Sequence, residues 1–269
     1  MTPRTIKTGV DLYVQEGGKS GPPTLLLLHG LGANADVWKG LIPILQKRWP
    51  GRYFIPDFRG HGRSSHRAPY SYAAHAADVA GLLGQHDEVF VLGHSMGGAT
   101  GLVLASGWFG INVRAVLAFG IKIRWTAEEI AKLQQLARNP VRWFDNQAEA
   151  IDRYLKVSGL IGLVDPSAPE ALSGIRQENG RFRLAADPMT NAAVGPTVEE
   201  LVAAARSPVR LAAGEKDPMV TRTDMALFDG HAVIFEGLGH NAHVENPEAV
   251  WRFVEDAAEQ RSEVSPHMK

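Results

Sequence analysis

Short apolar runs along the chain predict the strands of one sheet. Residues 24–29 are almost continuously apolar between Pro23 and Gly30, which is typical of a strand buried on both faces. Residues 6–16 alternate loosely between apolar and polar positions and predict one or two opening strands. Similar apolar runs predict strands at residues 53–55, 89–92, 113–119, 209–213 and 232–235.

Apolar residues at helical spacing fill most of the intervals between these strands. Residues 36–49 carry Val37, Leu41, Leu45 and Trp49 at such spacing and predict one helix. The same reasoning predicts helices at residues 72–83, 99–105 and 247–260. Strands that alternate with helices predict an α/β protein with a mostly parallel sheet and helices on both faces.

The alternation stops between residues 122 and 206. Thr126 and Thr197 each stand three positions before a glutamate, as in a capping box at the start of a helix. Residues 147–157 predict another helix, and Asn179-Gly180 precedes a short strand or an extended return. We therefore expect residues 122–206 to form a mostly helical insert in a core made of residues 1–121 and 207–269.

Composition narrows the classes of partner. The chain has 269 residues, a formal net charge of -1 and no cysteine. This near-neutral balance gives no reason to expect a nucleic acid or an anionic membrane as a partner, and disulfides are excluded. The first residues are polar, without the apolar segment of a signal peptide, so we expect a cytoplasmic protein. We expect it to be a monomer or homodimer that acts on a small molecule.

The motif Gly93-x-Ser95-x-Gly97 lies between the strand at residues 89–92 and a predicted helix. A serine at the apex of such a sharp turn is held in a strained backbone conformation with its hydroxyl clear of the sheet. Glycines two positions before and after it avoid a collision across the turn. This context favours Ser95 as a nucleophile over an incidental serine in a glycine-rich turn.

Other chemically useful residues also follow predicted strands, where reactive groups gather in open α/β sheets. Asp217 follows the strand at residues 209–213, and His240 follows the last strand. A serine hydroxyl needs a neighbouring base, and an imidazole can take and return a proton near pH 7. A carboxylate orients that imidazole. Two N–H groups would hold the oxyanion, and the candidates are those of Leu31 and Met96.

Taken together, five motifs resemble the α/β-hydrolase family over residues 24–260. They are Leu28-His-Gly-Leu-Gly32, Asp57-Phe-Arg-Gly-His-Gly-Arg-Ser64, Gly93-His-Ser-Met-Gly-Gly98, Gly214-Glu-Lys-Asp217 and Gly239-His-Asn-Ala-His-Val-Glu-Asn-Pro247. The resemblance implies a Ser-Asp-His triad, a two-amide oxyanion hole, an eight-stranded sheet and a cap inserted after the sixth strand. Serine at position 95 argues against the dehalogenases and epoxide hydrolases of the family, which carry aspartate there.

Several residues compete for these roles. His243 also follows the last strand, but His240 stands directly at the strand end and matches the family position, so we favour it. Asp57 more plausibly accepts hydrogen bonds from its glycine-rich loop, and Glu215 and Asp224 are expected to be solvated. The segment after the sixth predicted strand offers no carboxylate, which leaves Asp217 as the expected acid.

Residues near the strand ends and in the insert are candidates for substrate binding, although turn stabilisation is the better explanation for the two histidines among them, and packing or solvation explains the aromatic residues and the arginine at least as well. They are His29, Gly30, His94, Ile121, Arg124, Trp125, Trp143, Phe144 and Tyr154. The ten histidines show no spacing typical of metal ligands, so we expect neither a metal nor a cofactor.

These features predict a cofactor-independent serine hydrolase that cleaves a small carboxylic ester or lactone through an acyl-enzyme. The same triad also serves hydrolases of carbon–carbon bonds in dienoates or diketones, and of amides. Carbon–carbon hydrolases often carry an aromatic residue after the histidine, and Asn241 there disfavours them. A small-molecule receptor on the same fold is the alternative of another class, and multiple turnover on a simple ester would exclude it.

Overall fold

The computed structural model describes residues 2–7, 9–84, 86–193 and 195–262, and in this part of the chain eight strands form one mixed sheet. The described strands are β1 (Thr2–Lys7), β2 (Asp11–Gly18), β3 (Thr24–Leu28), β4 (Arg52–Pro56), β5 (Val89–His94), β6 (Val113–Phe119), β7 (Ile175–Glu178), β8 (Arg181–Leu184), β9 (Val209–Gly214) and β10 (Val233–Phe235). The order in the sheet is β1-β2-β4-β3-β5-β6-β9-β10, with β1 and β2 antiparallel to their neighbours and the other strands parallel. The predicted mostly parallel, eight-stranded sheet is confirmed.

Helices connect the strands and cover the sheet. They are α1 (Ile42–Arg48), α2 (Tyr72–Ala80), α3 (Met96–Ala105), α4 (Ala127–Ala137), α5 (Gln147–Val157), α6 (Pro169–Leu172), α7 (Val198–Ala204), α8 (Arg222–Ala226), α9 (Ala242–Glu245) and α10 (Pro247–Ser262). Short 3-10 helices lie at Ala35–Trp38 and Pro188–Ala192. Among the described helices none combines the length and apolar content needed to cross a bilayer.

The apolar strand β3 shows why helices lie on both sides of the sheet. Its successive side chains point to opposite faces, so Leu25 and Leu27 join one hydrophobic cluster and Leu26 and Leu28 join the other. The first cluster includes residues of α1 and α10, and the second includes residues of α2, α3 and α7. Both faces are therefore buried, as the continuous apolar run predicts.

The structure corrects one predicted helix. Residues 36–49 form two pieces, a 3-10 helix at Ala35–Trp38 and the separate helix α1, rather than one continuous helix. Pro43 stands in the first turn of α1. Proline lacks the N–H that a helix interior requires but is tolerated in the first turn, so it marks a new start.

Between β6 and β9 the chain forms α4 to α7 and the hairpin of β7 with β8. Asn179 and Gly180, both with positive φ, make the hairpin turn, so the short strand was the right alternative there. Both predicted capping boxes are present, at Thr126 and Thr197. Helix α7 packs on α3 beneath the sheet, whereas α4 packs on the 3-10 helix at Pro188–Ala192. The division into core and cap stays a prediction.

Candidate active site

Ser95 occupies a strained turn between β5 and α3. Its φ of 51° and ψ of -118° lie in a region that side-chain-bearing residues rarely adopt. The flanking glycines make the turn possible, because a Cβ on Gly93 would lie 2.5 Å from the Gly98 Cα and one on Gly97 would lie 2.2 Å from the Leu28 carbonyl oxygen. The Ser95 N–H donates to the Phe119 carbonyl of β6 at 2.9 Å. The serine is thus fixed where β5 ends.

Backbone contacts between two loops bring Asp217 and His240 together. The Lys216 N–H donates to the Leu238 carbonyl at 2.8 Å, joining the loops that follow β9 and β10. The His240 Nδ1 lies 2.8 Å from the Asp217 Oδ2, and the Met219 N–H donates to the other carboxylate oxygen at 2.9 Å. The Asp217 side chain is fully buried, while that of His240 is 23% exposed. The imidazole is therefore anchored on its Nδ1 side and keeps its other edge accessible.

His94 supports the backbone of His240. Its Nε2 lies 3.0 Å from the His240 carbonyl oxygen, and the two rings are 4.6 Å apart. Burial, with smaller contributions from His240 and His243, lowers the pKa of His94 well below its usual value. The ring is consequently neutral near pH 7, and the donor in this contact is its Nε2–H.

The two expected oxyanion donors are backbone N–H groups in different local structures, one at a helix start and one in a turn. Met96 is the first residue of α3, so its N–H has no carbonyl one turn earlier to bond. Leu31 lies in the turn after β3, which His29 fixes, because the Phe58 N–H donates to His29 Nε2 at 3.0 Å and His29 Nδ1 lies 2.8 Å from the Gly30 carbonyl. Burial lowers the pKa of His29 to about 3. Neutral His29 is thus a structural residue of this turn.

A cavity of about 740 Å³ opens over these residues. Ser95 and His240 line it together with Leu31 and Met96, at the ends of the strands. Apolar residues of the segment between β6 and β9 form a large part of the remaining wall. They include Ile121, Trp125, Ile130, Leu133, Val157, Ile161 and Leu163. The volume lies within the range of small-molecule sites in proteins.

The structure separates the predicted binding residues into two groups. Gly30, His94, Ile121 and Trp125 line the cavity. Among the described residues that line it, His29, Arg124, Trp143, Phe144 and Tyr154 do not occur.

Physical reasons explain where these five side chains lie instead. His29 is buried beneath the turn. The Arg124 side chain is 75% exposed, with its Nε 3.9 Å from the Asp224 carboxylate. Phe144 bridges to Phe182 through the backbone, and Tyr154 packs in the hydrophobic cluster that includes residues of α1 and α10. Trp143 lies under the Arg183 guanidinium. These contacts, rather than the cavity wall, account for the three aromatic residues.

The competing histidine and carboxylate have structural surroundings. His243 is buried against Trp38 and His94, with ring centroids 4.5 and 4.6 Å away. Burial lowers its pKa to about 3. Asp57 accepts from the Ala35 and Arg63 N–H groups at 2.7 Å each and pairs with the Arg63 side chain. Among the described residues, no group of three His, Asp or Glu side chains is placed to hold a metal ion.

Sequence reasoning missed most of the cavity wall. The capping box at Thr126 predicts the start of a helix, but it does not indicate that Ile130 and Leu133 of this helix line the cavity. Lys122 also lines the cavity, and its Nζ lies 2.6 Å from the Glu129 carboxylate. The available signal was the amphipathic pattern of α4, which does not by itself distinguish a core from a cavity.

The fold is that of an α/β hydrolase. The sequence model of the alpha/beta hydrolase family matches residues 25–253, so the chain belongs to this family.

Curated relatives match a shorter region. The chain is 37% identical over 105 residues to "Lipase LipV" of Mycobacterium tuberculosis, covering 36% of this chain and 37% of the relative. It is 42% identical over 101 residues to "Magnesium-chelatase 30 kDa subunit" of Rhodobacter capsulatus, covering 36% and 34%. The matches thus span about a third of the length of these curated relatives.

Solved structures match nearly the whole chain. The structure of E-2-(acetamidomethylene)succinate hydrolase aligns with a TM-score of 0.78 and 21% identity, covering 96% of this chain and 99% of that one. At this identity the likeness concerns the fold.

Proposed function

We propose that the protein is a serine hydrolase that cleaves small carboxylic esters or lactones through an acyl-enzyme on Ser95. The observation that carries this proposal is the 2.8 Å contact of Asp217 with His240, at the rim of the cavity that Ser95 also lines. Strained serine, anchored imidazole and buried carboxylate occupy the ends of β5, β10 and β9 respectively.

In the acylation step, the Ser95 hydroxyl gives its proton to His240 Nε2 while its oxygen attacks the substrate carbonyl carbon. The resulting oxyanion accepts hydrogen bonds from the Leu31 and Met96 N–H groups. His240 then returns the proton to the departing alkoxide, the carbon–oxygen bond breaks, and the alcohol leaves. Asp217 keeps the Nδ1 proton directed towards itself, so that Nε2 is the basic edge.

In the deacylation step, His240 takes a proton from water, whose oxygen attacks the acyl carbon. The oxyanion forms again, the bond to Ser95 Oγ breaks, and the serine recovers its proton as the acid leaves. The mainly apolar walls from α4 and the end of α5 favour an uncharged hydrocarbon group on the substrate, because burying it removes apolar surface from water.

Intact mass after reaction with a fluorophosphonate tests the proposal, with Ser95→Ala as the matched control. We expect one adduct on the natural protein and none on the variant, whose fold should persist because the change removes only a hydroxyl. Multiple turnover of p-nitrophenyl esters should follow. An unlabelled natural protein, or a labelled one that does not turn over simple esters, amides or diketones, would contradict the proposal and favour the receptor alternative.

A further inference from the structure

Asn241 follows His240 and joins its loop to the segment between β6 and β9. Both hydrogens of its amide group are used, since Nδ2 lies 3.1 Å from the Ser158 carbonyl oxygen and 3.0 Å from that of Gly159. The residue is buried, so these bonds are shielded from water. The backbone carbonyl of Asn241 accepts hydrogen bonds from the Val244 and Glu245 N–H groups of α9. Asn241 is thus bonded to α9 through its backbone and to the turn after α5 through its side-chain amide.

The two carbonyls that accept from Asn241 lie at the end of helix α5, where Ser158 is the C-cap and Gly159 follows it. A helix leaves its last carbonyls without intrahelical partners, and the Asn241 amide satisfies that of the C-cap. The residues on either side of this turn, Val157, Ile161 and Leu163, form part of the apolar cavity wall. The same short segment therefore touches the substrate space and the loop of His240.

Core residues in the described part of the chain also hold His240. Asp217 fixes its Nδ1 edge, and His94 fixes its carbonyl. Gly239, just before it, donates to the Glu245 carboxylate at 2.8 Å. The Asn241 amide adds a contact with the segment between β6 and β9, directly next to the histidine.

We infer that Asn241 is a positioning residue, which uses the end of α5 to hold His240 in the orientation required for proton transfer. This inference rests on the proposed function. Proton transfer demands close alignment, and a displacement of about 1 Å can reduce a rate by about 100-fold. Loss of the two hydrogen bonds should therefore lower kcat rather than weaken substrate binding.

The test measures kcat and KM for p-nitrophenyl hexanoate, per fluorophosphonate-titrated serine. Asn241→Ala should lower kcat by about tenfold and change KM by less than about twofold. Asn241→Leu preserves the side-chain bulk without the donors, and it should show the same loss even if the smaller residue impairs folding. The matched control is Asn146→Ala, the same change at the exposed N-cap of α5, which should leave both constants unchanged.

A second perturbation approaches the contact from the other side. Gly159 has a φ of +69°, and a Cβ there would lie 3.0 Å from the Asn241 Nδ2. Gly159→Ala should therefore also lower kcat, and its effect should be less than additive with that of Asn241→Leu, because both break one contact.

The outcomes are distinguishable. A natural protein without a titratable serine would refute the proposed function itself. A natural protein that is titrated and turns over, with Asn241 variants whose kcat per titrated serine is unchanged, would refute this inference alone. Variants that lose titratable serines but keep kcat per site, or that change only KM, would likewise overturn it, because they would assign Asn241 a structural or binding role.

Discussion

Helices α3 and α4 both line the cavity, yet they are held in very different ways. All ten residues of α3 are buried, and the helix packs on β3, β5 and β6 and against α2 and α7. None of the eleven residues of α4 is buried, and its apolar residues Ile130 and Leu133 face the cavity. Helix α3 therefore belongs to the core, whereas α4 forms one wall of the cavity.

This difference indicates that the part of the molecule that holds the candidate nucleophile is more rigid than the part that forms the cavity wall. Ser95 lies between the densely packed β5 and α3, where local opening is expected to cost close to the full free energy of unfolding. The wall that would contact a substrate belongs to elements with few buried residues, so local unfolding there should require less free energy. Substitutions in the two regions should thus affect different quantities, and the following predictions test that separation.

The largest expected effect comes from the rigid side. Asp217→Asn keeps the shape of the buried side chain but turns a carboxylate into an amide, which no longer favours the Nδ1–H tautomer of His240. We expect kcat on p-nitrophenyl esters to fall by about 10,000-fold with little change in KM. The unfolding midpoint should remain close to that of the natural protein. A loss of less than tenfold would mean that Asp217 does not orient the base.

A matched pair of leucines compares the two helices directly. Leu104 in α3 is fully buried, so Leu104→Ala should cost about 2–5 kcal/mol of unfolding free energy in urea titrations. Leu133 in α4 lines the cavity, so Leu133→Ala should cost less than about 1 kcal/mol but raise KM for p-nitrophenyl hexanoate by about tenfold. Equal stability losses in the two variants would contradict the contrast between core and wall.

The sequence predicted the features that backbone geometry dictates. The Ser95 turn needs glycine at positions 93 and 97, and the buried strand β3 needs a continuous apolar run, so both leave a clear pattern. The loops that carry Asp217 and His240 follow predicted strands, and neighbouring parallel strands bring their ends together. The choice of Asp217 and His240 rested on their position after predicted strands and on the family resemblance, and the structure places their side chains 2.8 Å apart.

The rest depends on contacts between distant segments, which a pattern along one chain does not record. The apolar spacing of α4 is the same whether its face meets a core or a cavity. The candidate wall residues Trp143, Phe144 and Tyr154 do not line the cavity. They contact Arg183, Phe182 and the hydrophobic cluster that includes α1 and α10, respectively. Pro43 could have indicated the break before α1, since proline marks a helix start.

The smallest expected effect concerns how the free energy of unfolding depends on pH, and it tests the densely packed region. Buried His243 has a pKa of about 3, against 6.5 for an ordinary histidine, and its neighbours include His94 and His240. Because the unfolded chain binds a proton more readily than the native state, the native state is disfavoured as pH falls from 6.5 towards 3. At pH 5 this one group should cost about 2 kcal/mol. His243→Leu should therefore lose about 2 kcal/mol less than the natural protein between pH 7 and pH 5 in urea titrations. An unchanged pH dependence in the His243 variant would mean that this ring is not a source of acid sensitivity.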